Sequence, residues 1–515
     1  MTSEKQPLTI KQIGLLFLTA IALSLVTLFL YNSWSQPQFQ GQLELYQTNL
    51  MLNSSTWQGE NLDPRTQGAL RQALIGVEPV STAIAQYENA RTDSQTHLEK
   101  TQQELIALKQ QPVANPTQEQ TLQLAIASTE ESLEKINLNL GLLKTQVNDV
   151  PEALQLWEKL ADNPQSLTGD TAEILIGLWQ DPPQVLSDAE LMLDLELSGW
   201  FRYQGLTRLY QIQGEEVALQ QLEERQQAIA FQGIRKLLIV AGVQSVGIFL
   251  GTALLAFMAV QWLIQRKNSW LAQNQGVSEV PWHWDTILLV IVAGFFFIGQ
   301  LISPVIFREF LSLFSFTRGS GVRADALIIL MSYVISSAGA LGVLYVAVNP
   351  FRPLPANWFK FDFQLSAIAW GIGGFLVAIP VVLFVSLINQ TLWQGQGGSN
   401  PILPLALQGN DWVAIACFSF TASVAAPVFE EIMFRGFLLP SLTRYVPVGL
   451  GIILSGLVFA IAHLSLSEVI PLTTLGIIMG FVYTRSGNLL APILLHSLWN
   501  ANTLLSLFLL GSSLS

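Results

Sequence analysis

Long apolar runs separated by short polar turns dominate the second half of the chain. A helix needs about 20 predominantly apolar residues to cross the hydrocarbon core of a bilayer, and an earlier run, Ile13–Tyr31, also meets that length. The pattern therefore predicts an all-α, polytopic transmembrane helical bundle of about ten spans. The other predicted spans are 237–264, 286–307, 326–348, 364–388, 412–427, 428–444, 447–464, 469–484 and 489–510.

The first apolar run, Ile13–Tyr31, has two interpretations. Lys5 and Lys11 precede it, and the polar stretch that follows has no clear small-residue cleavage signal. We interpret Ile13–Tyr31 as an uncleaved anchor helix, and the alternative is a cleaved signal peptide.

A polar block, residues 36–233, interrupts the apolar pattern and is predicted to be an inserted extramembrane helical domain. Its segments 83–109 and 119–146 place apolar residues at helical spacing. The block holds 27 Asp and Glu against 11 Lys and Arg, whereas the rest of the chain holds 10 against 14, so the net charge of −12 comes from this block. Such acidity argues against nucleic-acid binding and against docking on anionic lipid.

These composition changes divide the chain into four regions. An N-terminal tail and anchor occupies 1–35, the acidic domain 36–233, a multi-span membrane region 234–400, and the region with the candidate site 401–515. The single cysteine, Cys417, excludes an internal disulfide and a multi-cysteine metal site.

Two segments of the acidic domain resemble each other at an offset of 65 residues. This offset is close to two units of a 34-residue helical repeat, so a tetratricopeptide-like array is one interpretation and ordinary helix packing is the other. The matched residues are Ala153, Leu154 and Trp157 with Ala218, Leu219 and Leu222.

Flanking charge predicts the orientation of the spans in a plasma membrane or another bacterial-type internal membrane. The 389–410 loop contains no Lys or Arg and is predicted to lie opposite the basic loops, which places the acidic domain on the extracytoplasmic side. The residues predicted on the cytosolic side are Lys5, Lys11, Arg266, Lys267, Arg352 and Lys360. Three arginines are predicted on the extracytoplasmic side and contradict the rule that basic residues flank the cytosolic ends of the spans. They are Arg308, Arg318 and Arg323.

Three polar groups stand inside the last predicted spans, each containing residues four apart and therefore on one helical face. A carboxylate at the bilayer centre costs about 2.5 to 3.5 kcal/mol on insertion scales, so two adjacent glutamates need partners or a wet cavity. The groups are Glu430, Glu431 and Arg435; Phe459 and His463; and His496 and Asn500.

The predicted turns bring these groups together. A turn at 445–449 makes 428–444 and 447–464 an antiparallel hairpin, and the glutamates and His463 then lie at nearly equal depth. His496 lies about 14 Å from the next turn, near mid-membrane. We therefore predict one shared polar pocket, although a Glu–Arg pair or a single histidine taken alone is as well explained by helix packing.

Carboxylate, imidazole and amide groups together suit the activation of water. A buried glutamate is a suitable general base, and Asn500 can donate to a developing oxyanion while Arg435 fixes Glu431. Hydrolysis of an amide bond within the membrane is the leading hypothesis. The rivals are a non-proteolytic scaffold that binds proteins through the acidic domain, and a transporter, which the lack of an internal repeat disfavours.

The motifs Glu430-Glu431-x-x-x-Arg435, Phe459-x-x-x-His463 and His496-x-x-x-Asn500, in this order, resemble the CAAX-processing and bacteriocin-processing (CPBP, Abi) intramembrane protease family. The resemblance covers about residues 410–505. It implies a glutamate-dependent endopeptidase that acts on a membrane or lipidated protein or peptide.

By the same resemblance, Glu430 is the base that activates water, and His463 is its partner or a metal ligand. His496 and Asn500 form the oxyanion side or a second metal-binding pair. The implied cofactor is a divalent metal such as zinc, with His463, His496 and Glu430 as its ligands. The acidic domain lies outside the family core and is a candidate site for protein partners.

Overall fold

A computed structural model gives the architecture of residues 8–34, 36, 39–59, 63–110, 116–162, 166–272, 277–313, 321–356, 358–393, 396–399 and 411–511. It is all-helical, which confirms the predicted fold class. The described chain divides into two compact units, one made of 8–39 with 243–511 and the other of 40–242.

The second unit contains the helices of the acidic region. The predicted segments 83–109 and 119–146 fall within two 31-residue helices. The helices are α2 (Phe39–Ser55), α3 (Pro64–Ile75), α4 (Pro79–Lys109), α5 (Pro116–Gln146), α6 (Val150–Ala161), α7 (Leu167–Trp179), α8 (Ala189–Glu196), α9 (Gly199–Gln213) and the first half of α10 (Glu216–Gln265).

Trp157 on α6 lies at the centre of the core of this unit. It is fully buried, and its indole nitrogen donates a 3.0 Å hydrogen bond to the carbonyl of Leu138 on α5. Gly141 faces the indole ring so closely that a Cβ atom there would overlap it. Ala218 and Leu222, from the second of the two similar segments, pack against the same core. The tetratricopeptide-like array stays a prediction.

Lys144 joins α4, α5 and α6 through two ion pairs. Its ammonium lies 2.7 Å from Glu88 and 2.9 Å from Glu152. Burial lowers the pKa of Lys144, but the hydrogen bonds and charges of the two carboxylates outweigh burial and raise its pKa above the ordinary value. The lysine therefore remains charged at neutral pH in a largely apolar setting.

The first unit is the membrane region. In the described chain, eight helices are long and apolar enough to cross a bilayer, and this is an integral, multi-pass membrane protein. They are α1 (Ile10–Ser33), α10 with its extension to Asn268, α11 (Trp284–Ser312), α12 (Val322–Val348), α13 (Leu365–Trp393), α14 (Trp412–Thr443), α16 (Val469–Ser486) and α17 (Leu490–Gly511). Between α14 and α16 in the chain lies α15 (Val448–Ile461), which has 14 residues and is shorter than these eight helices.

The structure has fewer spans than the predicted ten partly because 412–427 and 428–444 form one helix, α14. Pro427 does not break it. A π-helical segment, Thr421–Ala425, precedes the proline, which then stands in the first turn of the α-helical segment Ala426–Glu431. The wider π turn accommodates a residue that lacks a backbone N–H, so the chain continues along one axis.

The start of α14 is fixed to the start of α12. Asp411 accepts hydrogen bonds from the backbone N–H groups of Val413 and Ala414, at 2.9 and 3.0 Å, and its carboxylate lies 2.7 Å from Arg323. The hydrogen bond from Arg323 is the largest of the effects that lower the pKa of Asp411. Arg323, which contradicts the charge rule for orientation, is thus ion-paired.

Two predicted features fall on residues outside the described part. One is most of the predicted 389–410 loop, which includes the predicted boundary at 400–401. The other is Arg318. At the N-terminal end, α1 packs against α11 through Ala22, Val292 and Phe296.

Candidate active site

Glu431 and Arg435 form a fully buried ion pair within α14. Nη1 of Arg435 donates a 2.7 Å hydrogen bond to Oε1 of Glu431, as the spacing of four residues predicts. Nη2 of Arg435 donates a 2.9 Å hydrogen bond to the carbonyl of Gly476 on α16. The guanidinium also lies 4.7 Å from the centre of the Phe459 ring. The arginine is therefore held from three sides.

Glycines allow α15 and α16 to approach closely beside this arginine. A Cβ atom on Gly476 would lie 2.7 Å from the Cα of Gly456 and 3.3 Å from Nη2 of Arg435. The first distance is too short for a Cβ atom, so glycine is required at 476 for α15 and α16 to pack this closely, and the second is a tight contact with the guanidinium.

His496 on α17 lies between the two glutamates. Its Nδ1 is 2.9 Å from Oε1 of Glu431, and its Nε2 is 4.0 Å from Oε2 of Glu430. An ionised carboxylate only accepts hydrogen bonds, so Nδ1 carries the hydrogen. The contact with Glu431 therefore orients the imidazole so that Nε2 faces Glu430.

The two adjacent glutamates have different environments. The side chain of Glu431 is 0% exposed, whereas that of Glu430 is 16% exposed. Oε1 of Glu430 accepts a 3.1 Å hydrogen bond from the hydroxyl of Tyr333 on α12. Glu431 is thus held by Arg435 and His496, while Glu430 keeps access to the site.

Tyr333 was missed by the sequence analysis. It lies 97 residues before Glu430 and outside the three motifs. Its signal in the sequence is weak, because a tyrosine within an apolar span is usually explained by packing or by a position near the membrane surface. Its ring also contacts Phe429 edge to face, at 6.1 Å between ring centres.

His463 reaches the cluster through Phe459. Its Nδ1 donates a 2.9 Å hydrogen bond to the backbone carbonyl of Phe459, which can only accept. The centre of the Phe459 ring lies 4.9 Å from that of the His463 ring and 5.6 Å from that of the His496 ring, so Phe459 contacts both imidazoles. Gln300 on α11 donates a 3.0 Å hydrogen bond to the carbonyl of Ala462 and fixes the chain directly before His463.

Asn500 on α17 contacts the backbone of α14, and its predicted oxyanion role stays a prediction. Its Nδ2 donates a 2.7 Å hydrogen bond to the carbonyl of Ala422, in the π-helical segment of α14. The amide therefore ties α17 to the wide turn that precedes the glutamates. One of its two N–H groups is engaged there.

The donor set does not fit a catalytic zinc site. Such sites combine three protein ligands with an open position. Across the part of the chain that the structure describes, no three His, Cys, Asp or Glu side chains are grouped so that they could hold a metal ion. Nδ1 is engaged in both His463 and His496, so Nε2 is the ring nitrogen of each that could bind a metal. The metal predicted on His463, His496 and Glu430 stays a prediction, and no step below depends on it.

Comparison with known proteins agrees with the motifs. Residues 412–502 match the family described as Type II CAAX prenyl endopeptidase, Rce1-like. The chain is 22% identical over 223 residues to "Membrane-embedded CAAX protease MroQ" of Staphylococcus aureus, covering 42% of this chain and 86% of the relative. It is 24% identical over 192 residues to "Putative membrane peptidase YdiL" of Bacillus subtilis, covering 36% and 77%.

No solved structure matches the chain. The matched residues 412–502 span α14 to α17, and they include both glutamates, Arg435 and the two histidines of the cluster. Through these residues, this integral membrane protein is similar to the Rce1-like family of CAAX endopeptidases over residues 412–502.

Proposed function

We propose that this protein is an intramembrane endopeptidase in which Glu430 is the general base. The observation that carries the proposal is the difference between the two glutamates: Glu431 is completely buried against Arg435 and His496, and Glu430 is partly exposed beside Nε2 of His496. A general base must reach a water molecule, and Glu430 is the carboxylate of this pair that has access.

The charges of the cluster support this assignment. With Glu430 and Glu431 ionised, Arg435 cationic and His496 protonated, the four side chains sum to zero. An unbalanced charge within the membrane is expensive, so a set of charges that sums to zero is one that the site can hold. In this state Nε2 of His496 carries a hydrogen that faces the position beside Glu430.

The reaction uses one water molecule. Glu430 takes a proton from the water as its oxygen attacks the carbonyl carbon of the peptide bond, and Nε2–H of His496 stabilises the oxyanion that forms. When the C–N bond breaks, Glu430 returns the proton to the leaving nitrogen. The products are a new carboxyl terminus and a new amino terminus, so atoms and charges balance.

The remaining residues position this machinery. Tyr333 fixes one oxygen of Glu430, and Glu431 fixes the ring of His496. His463 donates through Nδ1 to the carbonyl of Phe459, which fixes its ring against the Phe459 ring. Asn500 holds the π turn and offers its second N–H to the oxyanion.

The substrate that we propose is a membrane-embedded or lipid-modified protein or peptide. Its support is the position of the cluster within apolar spans and the similarity to a protein named as a CAAX protease. The acidic helical unit is the proposed site for partner proteins because it lies outside the matched residues.

The decisive experiment compares membrane protein termini in cells that carry wild-type protein or Glu430→Gln at equal abundance. The amide has nearly the shape of the carboxylate but cannot act as a base. Termini present with the wild type and absent with Glu430→Gln identify substrates. Glu309→Gln makes the same chemical change at an exposed position of α11 and should leave the termini unchanged.

One result would support the rival function. If Glu430→Gln left every terminus in place and still rescued the phenotype of a deletion strain, proteolysis would be rejected. The protein would then be a non-proteolytic scaffold, and the acidic helical unit would become its functional part.

A further inference from the structure

A cavity lies in the membrane unit, between α10, α13 and α16. Its volume is about 610 Å³, within the range of small-molecule pockets. Its walls are almost entirely apolar, and they include Leu254 and Met258 on α10, Val377 on α13, and Ile477 and Phe481 on α16. None of the residues of the glutamate cluster lines it.

The cavity has a polar end. Ser366, near the start of α13, lines it, as does Trp270, which follows the end of α10. The backbone near this end is joined to the turn after α16, where Nδ2 of Asn488 donates a 2.7 Å hydrogen bond to the carbonyl of Asp362. Tryptophans and polar turns mark the membrane–water interface, so the cavity opens at that level.

The depth of the cavity matches one leaflet of a bilayer. On α13 its wall runs from Ser366 to Val377, and the eleven steps between these residues correspond to about 16 Å along a helix axis. Half of a hydrocarbon core of about 30 Å is nearly the same length. A hydrocarbon chain that enters from the interface would therefore fill the cavity without passing into the other leaflet.

A cation stands beside the polar end. The guanidinium of Arg485 lies 4.7 Å from the centre of the Phe481 ring, which is part of the cavity wall. Its Nε is buried and has no hydrogen-bond partner among the described residues. Arg266 and Lys267 follow the end of α10 near the same level. Basic side chains at the interfacial end of an apolar groove between membrane helices suit an anionic lipid headgroup.

We propose that this cavity binds one acyl chain of an anionic glycerophospholipid, with the phosphate held by Arg485. The proposal goes beyond proteolysis and does not depend on it. Occupancy should stabilise the folded protein because the lipid contacts three helices at once. Ile477 on the cavity wall directly follows Gly476, whose carbonyl accepts a hydrogen bond from Arg435. The lipid would therefore stabilise α16, the helix that Arg435 contacts.

The test measures lipid binding to the full-length protein in detergent, by native mass spectrometry and by the shift in melting temperature. The probes are phosphatidylglycerol and phosphatidylcholine with the same acyl chains. Gly373→Leu fills the cavity, and its Cβ fits because the nearest atom, Cδ2 of Leu254, is 3.6 Å away. Arg485→Gln removes the cation and leaves the walls intact.

We expect Gly373→Leu to weaken binding of both lipids at least tenfold, and Arg485→Gln to remove the preference for phosphatidylglycerol. Two matched controls should bind like the wild type. Gly342→Leu adds the same side chain at an open position of α12, and Arg352→Gln removes an arginine that lies 5.7 Å from the ring of Tyr345.

Two results would overturn the proposal. One is wild-type affinity for phosphatidylglycerol in both cavity variants. The other is displacement of the bound phospholipid from the wild type by an isoprenoid alcohol at equal concentration, which would assign the cavity to a substrate's lipid group instead. Glu430→Gln should bind phospholipid normally, so loss of proteolysis and loss of lipid binding are separable.

Discussion

Nδ1 of His496 lies 2.9 Å from Oε1 of Glu431, although 65 residues separate them in the chain. The same carboxylate oxygen accepts the 2.7 Å hydrogen bond from Arg435. One fully buried oxygen thus fixes two side chains, one from its own helix and one from α17. The geometry of the neighbouring Glu430 depends on this arrangement because His496 faces both glutamates.

Removal of Arg435 should destabilise the protein strongly. Arg435→Met leaves Glu431 as a buried charge without its main partner, which typically costs about 3 to 5 kcal/mol in the free energy of unfolding. The double variant Glu431→Gln with Arg435→Met removes both charges and should be closer to the wild type than Arg435→Met alone. Denaturant titration in detergent micelles measures these free energies.

The control for this pair is Arg444→Met. Arg444 is exposed and donates to backbone carbonyls of Val280 and Trp282, so its loss should have a smaller effect. Equal destabilisation by the single and double variants would show that the charge of Glu431 does not need Arg435.

Tyr333→Phe should lower kcat about tenfold and leave KM unchanged. A hydrogen bond to a charged group contributes at least about 1.5 kcal/mol, and 1.36 kcal/mol corresponds to a factor of ten in rate. Tyr333 contacts the base and not the substrate, so the effect belongs to the chemical step. Steady-state kinetics on a substrate identified by its new terminus separates the two constants.

Tyr345→Phe, on the same helix and exposed, is the matched control for Tyr333→Phe and should have wild-type kinetics. A rise in KM with an unchanged kcat for Tyr333→Phe would place the hydroxyl at the substrate and contradict the positioning role.

Proteolysis should survive removal of divalent metals. The described residues provide no group of three His, Cys, Asp or Glu side chains that could hold a metal ion. Cleavage rates before and after dialysis against 1,10-phenanthroline should therefore agree. Loss of cleavage that added Zn²⁺ restores would establish the metal-assisted reaction that the family resemblance implies.

Asp411 should make the stability of the membrane unit sensitive to acid. The pKa of Asp411 is lowered below its ordinary value of 3.8, chiefly by Arg323, so the folded state favours the carboxylate. Its contribution is complete above pH 3.8 and is lost as the pH falls through the lowered pKa.

The variant Asp411→Asn keeps a residue that can cap α14 but removes the titrating group. The melting temperature of the wild type should therefore fall more steeply below pH 3.8 than that of Asp411→Asn. Parallel melting curves for the two proteins across this range would contradict the prediction.

The sequence by itself determined the all-helical membrane class. Apolar runs of bilayer length leave the backbone no other way to satisfy its hydrogen bonds in lipid. It also determined the Glu431–Arg435 pair, because residues four apart lie on one face of a helix whatever surrounds them. The order of the three motifs was sufficient to indicate the family.

The tertiary structure decided which glutamate is free. Glu430 and Glu431 are neighbours of the same residue type, and only the packing of α17 and α12 distinguishes them, through His496 and Tyr333. It also decided the partner of Asn500, which is a backbone carbonyl of the π turn. That turn joins two predicted spans into one helix, and local hydrophobicity carries no signal for it.

The physical reason for this division is the range of the interactions. Hydropathy and spacing are properties of consecutive residues, so they can be determined from the chain alone. Burial, tautomer and access depend on helices that are distant in sequence and whose contacts are set by close glycine packing, as at Gly456 and Gly476. The chemistry of Glu430 depends on these contacts between helices that are distant in sequence.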